Sequence, residues 1–309
     1  MVNTPVLFET FVRVDYARQV WDAIKAAQPK KLYFYSNKGR AEKEGEIKRN
    51  NEIRSWVKEI DWDCELHTCF RDECVDVYTS LRGAISWLFE NEETGIVLED
   101  DCVPTKAFFS FCDQMLKKYS SDQRVWYISG DQYLDRGSIQ NDFVFSHYHW
   151  LYGWASWRDR WQQTMWGVVP VKEFKDERLY ENFYKTRIQA IRRYRDRERI
   201  KDFVEKTECW DYCFNITADY KKAVGVYPAV NLITNIGMQG THADLYSATI
   251  FNKPAETDLD EYVIANAPAD VCADKEYDYN LHKFLRKYYA PSARAKRLLM
   301  KAWFKYIKK

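Results

Sequence analysis

The eight residues Gly95-Ile96-Val97-Leu98-Glu99-Asp100-Asp101-Cys102 constrain the fold of this chain more than any other stretch. Three consecutive apolar residues suit a strand buried on both faces, and three carboxylates stand side by side at its carboxyl end. Like charges set this close raise one another's pKa unless a cation or several hydrogen-bond donors keep them ionised, so the cluster invites a divalent metal with oxygen ligands. An acidic surface turn is the alternative that the triplet alone leaves open. Its position favours a site, because ligands in open α/β sheets bind where the strands end.

Strands and helices alternate on either side of this stretch. Residues 6–12 read as a buried strand, 17–27 as a helix with Val20, Trp21 and Ile24 on one side and Pro29 as its stop, and 32–35 as a second strand ended by Ser36, Asn37 and Gly39. A βαβ beginning argues for parallel strands with right-handed crossovers. The pattern continues with a helix over 46–60, a strand over 64–70, helices over 75–90 and 108–119, and a strand over 125–129. Beyond Gly130 the character changes. A strand is expected at 143–146, and Trp150, Trp154, Trp157 and Trp161, spaced four, three and four apart, predict one face of a helix. Two solvent-facing helices are expected within 173–206, then a short helix from 209, a strand over 223–228 and a polar, Gly-containing loop over 231–242.

Composition narrows the class. With 309 residues, 46% of them hydrophobic and 17% aromatic, the chain can bury a large core and is not disordered. The 47 basic residues are balanced by 46 acidic ones, which leaves no general field to attract nucleic acid. No apolar run approaches the length of a spanning helix, and the first strand starts so near Met1 that no signal peptide is expected. The expected location is the cytoplasm. The eight cysteines form no Cys-x-x-Cys pair and read as buried reduced thiols.

Taken in order, several segments resemble one family. Thr10 and Arg13 close the first strand, Leu98-Glu99-Asp100-Asp101-Cys102-Val103-Pro104 follows, and Ile128-Ser129-Gly130 opens a second half. Gly153-Trp154, Trp210-Asp211, Asn235-Ile236-Gly237 and Thr241-His242 come next. Over residues 5–242 this order resembles glycosyltransferases of the GT-A fold that use sugar nucleotides. The group in question comprises bacterial and viral relatives of the N-acetylglucosaminyltransferase that starts complex N-glycan antennae. The resemblance implies an α/β fold of Rossmann-like character, with a mixed central sheet flanked by helices; a basic helical tail at the C-terminus is expected from the residues of that stretch. It divides the chain into a donor-binding half (1–130), an acceptor-binding and catalytic half of the same domain (131–245) and a C-terminal extension (246–309).

It also implies roles. Asp101 would bind the metal, Mn2+ or Mg2+, while Glu99 and Asp100 would contact ribose, sugar hydroxyls or metal-bound water. Asp211, which directly follows a Trp at the start of a short helix, would be the general base of an inverting transfer. A helix N-cap is the other reading of that aspartate. His242 would close the donor site as a second metal or pyrophosphate ligand, and a plain loop histidine is its alternative. Arg13, Arg40 and Arg82 are candidates for the nucleotide phosphates, because a guanidinium fork binds phosphate bidentately. Thr10 belongs with them at the end of the first strand. Asn37 occupies the position after the second strand where the family commonly has an acid that recognises the base. Trp154, which follows a glycine, and Trp210 are the acceptor-side candidates, since a sugar ring stacks on an indole; core packing is the alternative.

The expected reaction is therefore metal-dependent transfer of a sugar from a nucleoside diphosphate, a UDP-sugar, to a hydroxyl of a glycan or lipid-linked glycan. A retaining enzyme of the same fold and a glycan-binding protein without catalysis are its rivals. Residues 292–309 carry seven basic residues, no acid, and Leu298, Leu299, Trp303, Phe304 and Ile307. That pattern describes either a basic amphipathic helix lying at the inner face of an anionic membrane or a helix docked on the domain.

Overall fold

Strand β1 (Val6–Thr10) exposes no residue, which is possible only when both of its faces are covered and both of its edges are paired. In the computed structural model, which describes residues 2–237, 253–256 and 260–289, β1 lies between β2 (Lys31–Ser36) and β4 (Thr94–Glu99), parallel to both. Strand β3 (Glu65–Phe70) extends the parallel set beyond β2. On the other side β8 (Trp154–Trp157) runs antiparallel between β4 and β6 (Val125–Ser129). Then come β9 (Val224–Pro228), parallel to β6, and the antiparallel edge strand β7 (Phe143–Ser146). The order β3-β2-β1-β4-β8-β6-β9-β7 makes an eight-stranded sheet among the described residues. The mixed α/β sheet flanked by helices that the resemblance implies is what the chain forms.

Alternation along the strands divides the core between the two faces. Phe8, Phe34, Ile96 and Leu98 pack on one face with Trp21 and Ile24 of helix α1 (Val14–Ala27) and with Phe108 and Phe111 of α4 (Lys106–Lys118). Leu7, Tyr33, Tyr35 and Val97 pack on the other, with Ile85 and Leu88 of α3 (Val77–Asn91) and Phe214 of α9 (Trp210–Tyr220). Each aliphatic or aromatic side chain fully removed from water in this way contributes about 1.5–3 kcal/mol. Local signals set the helix starts: Asp76 accepts from the amides of Tyr78 and Thr79 to open α3, and Thr105 accepts from Phe108 to open α4.

Three segments differ from the expectations. The tryptophan run is not a helix: Trp154 to Trp157 pair as β8, and only the short α5 (Arg158–Gln162) after them is helical. Burial between two strands outweighs the helical spacing, and the odd separation sends Trp154 to the α3 face and Trp157 to the α1 face. The charged stretch forms three helices, α6 (Val171–Asp176), α7 (Leu179–Phe183) and α8 (Arg187–Thr207), the last opened by a Thr186/Gln189 capping box. The loop after β9 contains β10 (Ile233–Asn235), which pairs antiparallel with β5 (Cys102–Pro104) directly after the acidic triplet.

A further helix, α10 (Lys275–Tyr289), had no sequence expectation and is built into the core. Tyr277, Leu281 and Leu285 join the cluster on the α3 face, and buried Asp278 accepts hydrogen bonds from the Ser146 hydroxyl and the His147 amide. The basic tail at 292–309 lies outside the described residues, and no helix among those described is long and apolar enough to cross a membrane.

Candidate active site

The carboxyl ends of β1 and β4 put acids side by side because Glu9 and Glu99 are register partners. Beyond β4 the chain turns through Asp100 and Asp101 into β5. Arg13, at the start of α1, reaches back to both: its guanidinium donates to the Asp100 carboxylate, and its Nη1 lies 2.8 Å from Asp101 Oδ2. Burial works against the Arg13 charge, but Asp100 and Asp101 more than offset it and hold the group as a cation.

One arginine does not balance the site. Burial, then Asp101 and Asp100, push the Glu99 carboxyl up to about 8. Asp100 is pushed up to about 6 by burial despite Arg13. Glu9 rises well above the usual carboxylate range through burial, Glu99 and Asp100, and neither of its buried carboxylate oxygens has a hydrogen-bond partner among the described residues.

Asp211 belongs to a different element, α9. It is the second residue of α9, and Cys209 holds the N-cap position, so the aspartate does not cap the helix. Its charge contributes to the field at Glu99 and at the Tyr152 phenol, which places the base candidate within electrostatic reach of the acidic triplet. Burial raises the Asp211 pKa, while hydrogen bonds from the Cys209 thiol and the Tyr212 amide oppose the rise. A carboxyl tuned upward in this way is the better proton acceptor near neutral pH.

The late loop closes over Asp101. The Ile236 amide donates to the Asp101 carbonyl at 2.8 Å, and a Cβ on Gly237 would stand 2.2 Å from Asp101 Oδ2. The segment Asn235 to Gly237 is thus packed on the acidic triplet. Thr241 and His242, which follow it, lie outside the described residues.

The remaining sequence candidates are placed as follows. Thr10 donates its hydroxyl to the Tyr35 carbonyl within the sheet, and the Asn37 side chain bridges to the backbone of Val75. Arg40 forms a fork with Glu46 and lies over the Phe11 ring. Arg82 pairs with Glu208 and stacks on Trp166 at 3.8 Å, against the turn into α9 rather than beside β1 and β4. Trp154 and Trp210 are not available to a sugar. They are 1% and 4% exposed and stack on each other with ring centroids 5.5 Å apart. Gly153 serves the fold, since its φ of +68° and the Ile233 side chain, 2.5 Å from where a Cβ would be, exclude a larger residue.

Three residues of the cleft had no sequence expectation. Glu9 carried a faint signal, as an acid in an otherwise apolar strand. Tyr152, whose phenol feels Asp131, Asp211 and Glu99, and Cys209 carried none.

Among the described residues no three His, Cys, Asp or Glu side chains are arranged to hold a metal ion. The charge balance nevertheless fits a cation: among the described residues Arg13 is paired with Asp100 and Asp101, while Glu9, Glu99 and Asp100 are pushed toward the neutral form by burial and by the neighbouring acids. A divalent ion would be held by Asp101, with its other ligands supplied by a bound diphosphate.

No family model matches the chain, and no curated protein matches its sequence. Solved structures to which the chain is similar include the mannosyltransferase PcManGT from Pyrobaculum calidifontis in complex with GDP-Man and Mn2+, 13% identical over 52% of this chain and 46% of that one, TM-score 0.36. A UDP-glucose pyrophosphorylase complexed with UDP-glucose is 9% identical over 73% of this chain and 90% of that one, TM-score 0.33. The apo-form glycosyltransferase GlyE in Streptococcus pneumoniae TIGR4 is 14% identical over 94% and 64%, TM-score 0.32. The chain thus spans about half the length of the mannosyltransferase.

Proposed function

We propose that the chain is a metal-dependent, inverting glycosyltransferase that moves a sugar from a nucleoside diphosphate, a UDP-sugar, to a hydroxyl of a glycan acceptor. The observation that carries this reading is that Asp211, at the start of α9, lies within electrostatic reach of Glu99, the first acid of the Glu99-Asp100-Asp101 triplet at the carboxyl end of β4. A diphosphate leaving group and an acceptor hydroxyl make opposite demands, positive charge at one end and a proton acceptor at the other; Arg13 together with a divalent ion at Asp101 would meet the first, and Asp211 the second. Arg13 supplies a fixed cation beside Asp100 and Asp101, and its fork suits phosphate oxygens. Mn2+ or Mg2+ bound by Asp101 would add charge stabilisation for the departing diphosphate. Asp211 takes the proton from the acceptor hydroxyl, which then attacks the anomeric carbon from the face opposite the leaving group. The donor contacts belong to Arg13, Glu99 and Asp100. A lipid-linked acceptor, reached from the membrane surface through residues 292–309, is part of the same reading.

The test is Asp211→Asn, assayed with the nucleotide sugar that most raises the melting temperature in the presence of Mn2+. Transfer should fall by about two orders of magnitude or more, the usual scale for losing a general base, while the thermal shift given by the donor stays unchanged. Near-normal turnover by a folded variant would remove Asp211 from the mechanism.

A further inference from the structure

The hydrogen bonds that Asp211 accepts from its described neighbours Cys209 and Tyr212 land on one oxygen. The Cys209 thiol donates to Oδ1 at 2.8 Å, and the Tyr212 amide donates to Oδ1 at 2.8 Å. Oδ2 accepts none from another described residue, and Asp211 as a whole remains partly exposed. A carboxylate pinned at one oxygen presents the other in a fixed direction, which is what a proton acceptor in a positioned encounter needs. Cys209 occupies the N-cap position of α9 but makes no side-chain capping bond; its buried thiol is turned onto Asp211 instead.

We propose that Cys209 is a positioning residue for the transfer, holding Asp211 Oδ1 so that Oδ2 faces the acceptor hydroxyl; this rests on Asp211 being the base. In the step so arranged, the acceptor O–H bond breaks and its proton passes to Oδ2. The oxygen's electron pair forms the bond to the anomeric carbon, and the bond from that carbon to the diphosphate breaks with its pair leaving on the diphosphate. The thiol keeps its proton throughout, because burial and the neighbouring Asp211 charge both push its pKa up. The other titratable or charged groups that face Asp211 or its thiol are Tyr78 of α3, Glu99 at the end of β4, Tyr152 before β8, Arg197 of α8, and Tyr212 and Cys213 of α9. Arg197 favours the ionised form of Asp211 only from a distance, and its own hydrogen bonds go to Tyr180 and Asp219.

The experiment uses full-length protein with 13C-labelled aspartate carboxyls, the Asp211 resonance being assigned by its loss in Asp211→Asn. Cys209→Ala and Cys209→Val lack the donor, while Cys209→Ser keeps one. The first two should raise the Asp211 titration midpoint, because a bond to the charged form is lost. They should also lower kcat for hydrolysis of the stabilising UDP-sugar by about 3- to 10-fold, the scale of one hydrogen bond, with the donor KM unchanged. Cys209→Ser should restore both readings. An unshifted midpoint with wild-type kcat in the donorless variants overturns the proposal, and so does a serine variant that behaves as they do, since packing would then be the cause. If Asp211→Asn is slow while Cys209→Ala is normal, only the positioning role fails. Near-normal turnover of Asp211→Asn removes the base and this role together.

Discussion

Gly237 leaves no room for a side chain beside Asp101. A methyl group there would stand 2.2 Å from Oδ2 and 2.9 Å from Cγ, so Gly237→Ala must displace either the carboxylate or the late loop. The expected result is a loss of metal-dependent donor affinity of about an order of magnitude or more with little change in melting temperature, read by titration of UDP with and without Mn2+. Asp101→Ala should abolish the Mn2+-dependent part of that affinity outright; unchanged UDP binding in Mn2+ would remove Asp101 from the metal site. The first variant crowds the Asp101 carboxylate and the second removes it. At this scale the sequence announces the acids well, because Glu99, Asp100 and Asp101 are adjacent in the chain and Asp211 carries its Trp neighbour. It gives only a faint hint of Glu9, whose meaning appears when β1 pairs with β4, and none of Cys209, whose thiol could equally have faced the core.

Among the elements, β8 departs furthest from its sequence pattern. Its two tryptophans are committed to opposite faces of the sheet, and Trp154 is stacked on Trp210 and flanked by Phe214 and Trp161. Trp154→Ala should therefore cost about 3–5 kcal/mol of stability, as removal of a large buried aromatic does, seen as a lower denaturation midpoint with unchanged slope. A loss of acceptor affinity with full stability would instead return the indole to the binding surface. A milder test falls on α3, where Asp76→Ala removes acceptors for the Tyr78 and Thr79 amides and should cost about 1 kcal/mol. The parallel strands and their helices were readable because apolar runs of four to six residues alternate with helix-length periodic segments. Strand β8 was not, since a strand buried on both faces and a buried helix share the same composition. Helix α10 was missed because its apolar positions are diluted by lysines and tyrosines, and the partner that makes Tyr277 and Leu281 core residues lies more than a hundred residues earlier.

Taken whole, the molecule holds a buried ionic network that sets its response to acid. Asp219 accepts from Tyr180 and Arg197 and pairs with His149, so Arg197 and Arg193 hold its carboxyl far below the usual range against the cost of burial. Burial pushes His147 down to about 3 and also lowers His149, so both are neutral in the folded chain. A histidine neutral when folded but basic when unfolded contributes stability that is complete above about pH 6.5 and is lost as the pH falls through its folded value; Asp219 acts in the same direction below about pH 4. Asp278 opposes them. Burial raises it to about 7, so its penalty is present above that pH and fades as the pH falls toward the ordinary carboxylate range. Glu99 and Asp100, raised to about 8 and about 6, act in the same sense as Asp278. Asp278→Asn removes one of these opposing contributions, so between pH 7 and pH 4 the melting temperature of the variant should fall more, or rise less, than that of the parent chain, as scanning calorimetry across that range would record.

The insertion of β8 between β4 and β6 also bears on how the polypeptide can be cut. A nick between Gly130 and Asp131 separates the stretch that carries the acidic triplet from the one that carries Asp211, yet the piece ending at Gly130 would keep β4 and β6 with a gap of one strand between them. Neither fragment expressed alone should be soluble, whereas the two produced together should reassemble through the vacant strand position. Fragment complementation thus becomes a way to switch the protein on by bringing its halves together.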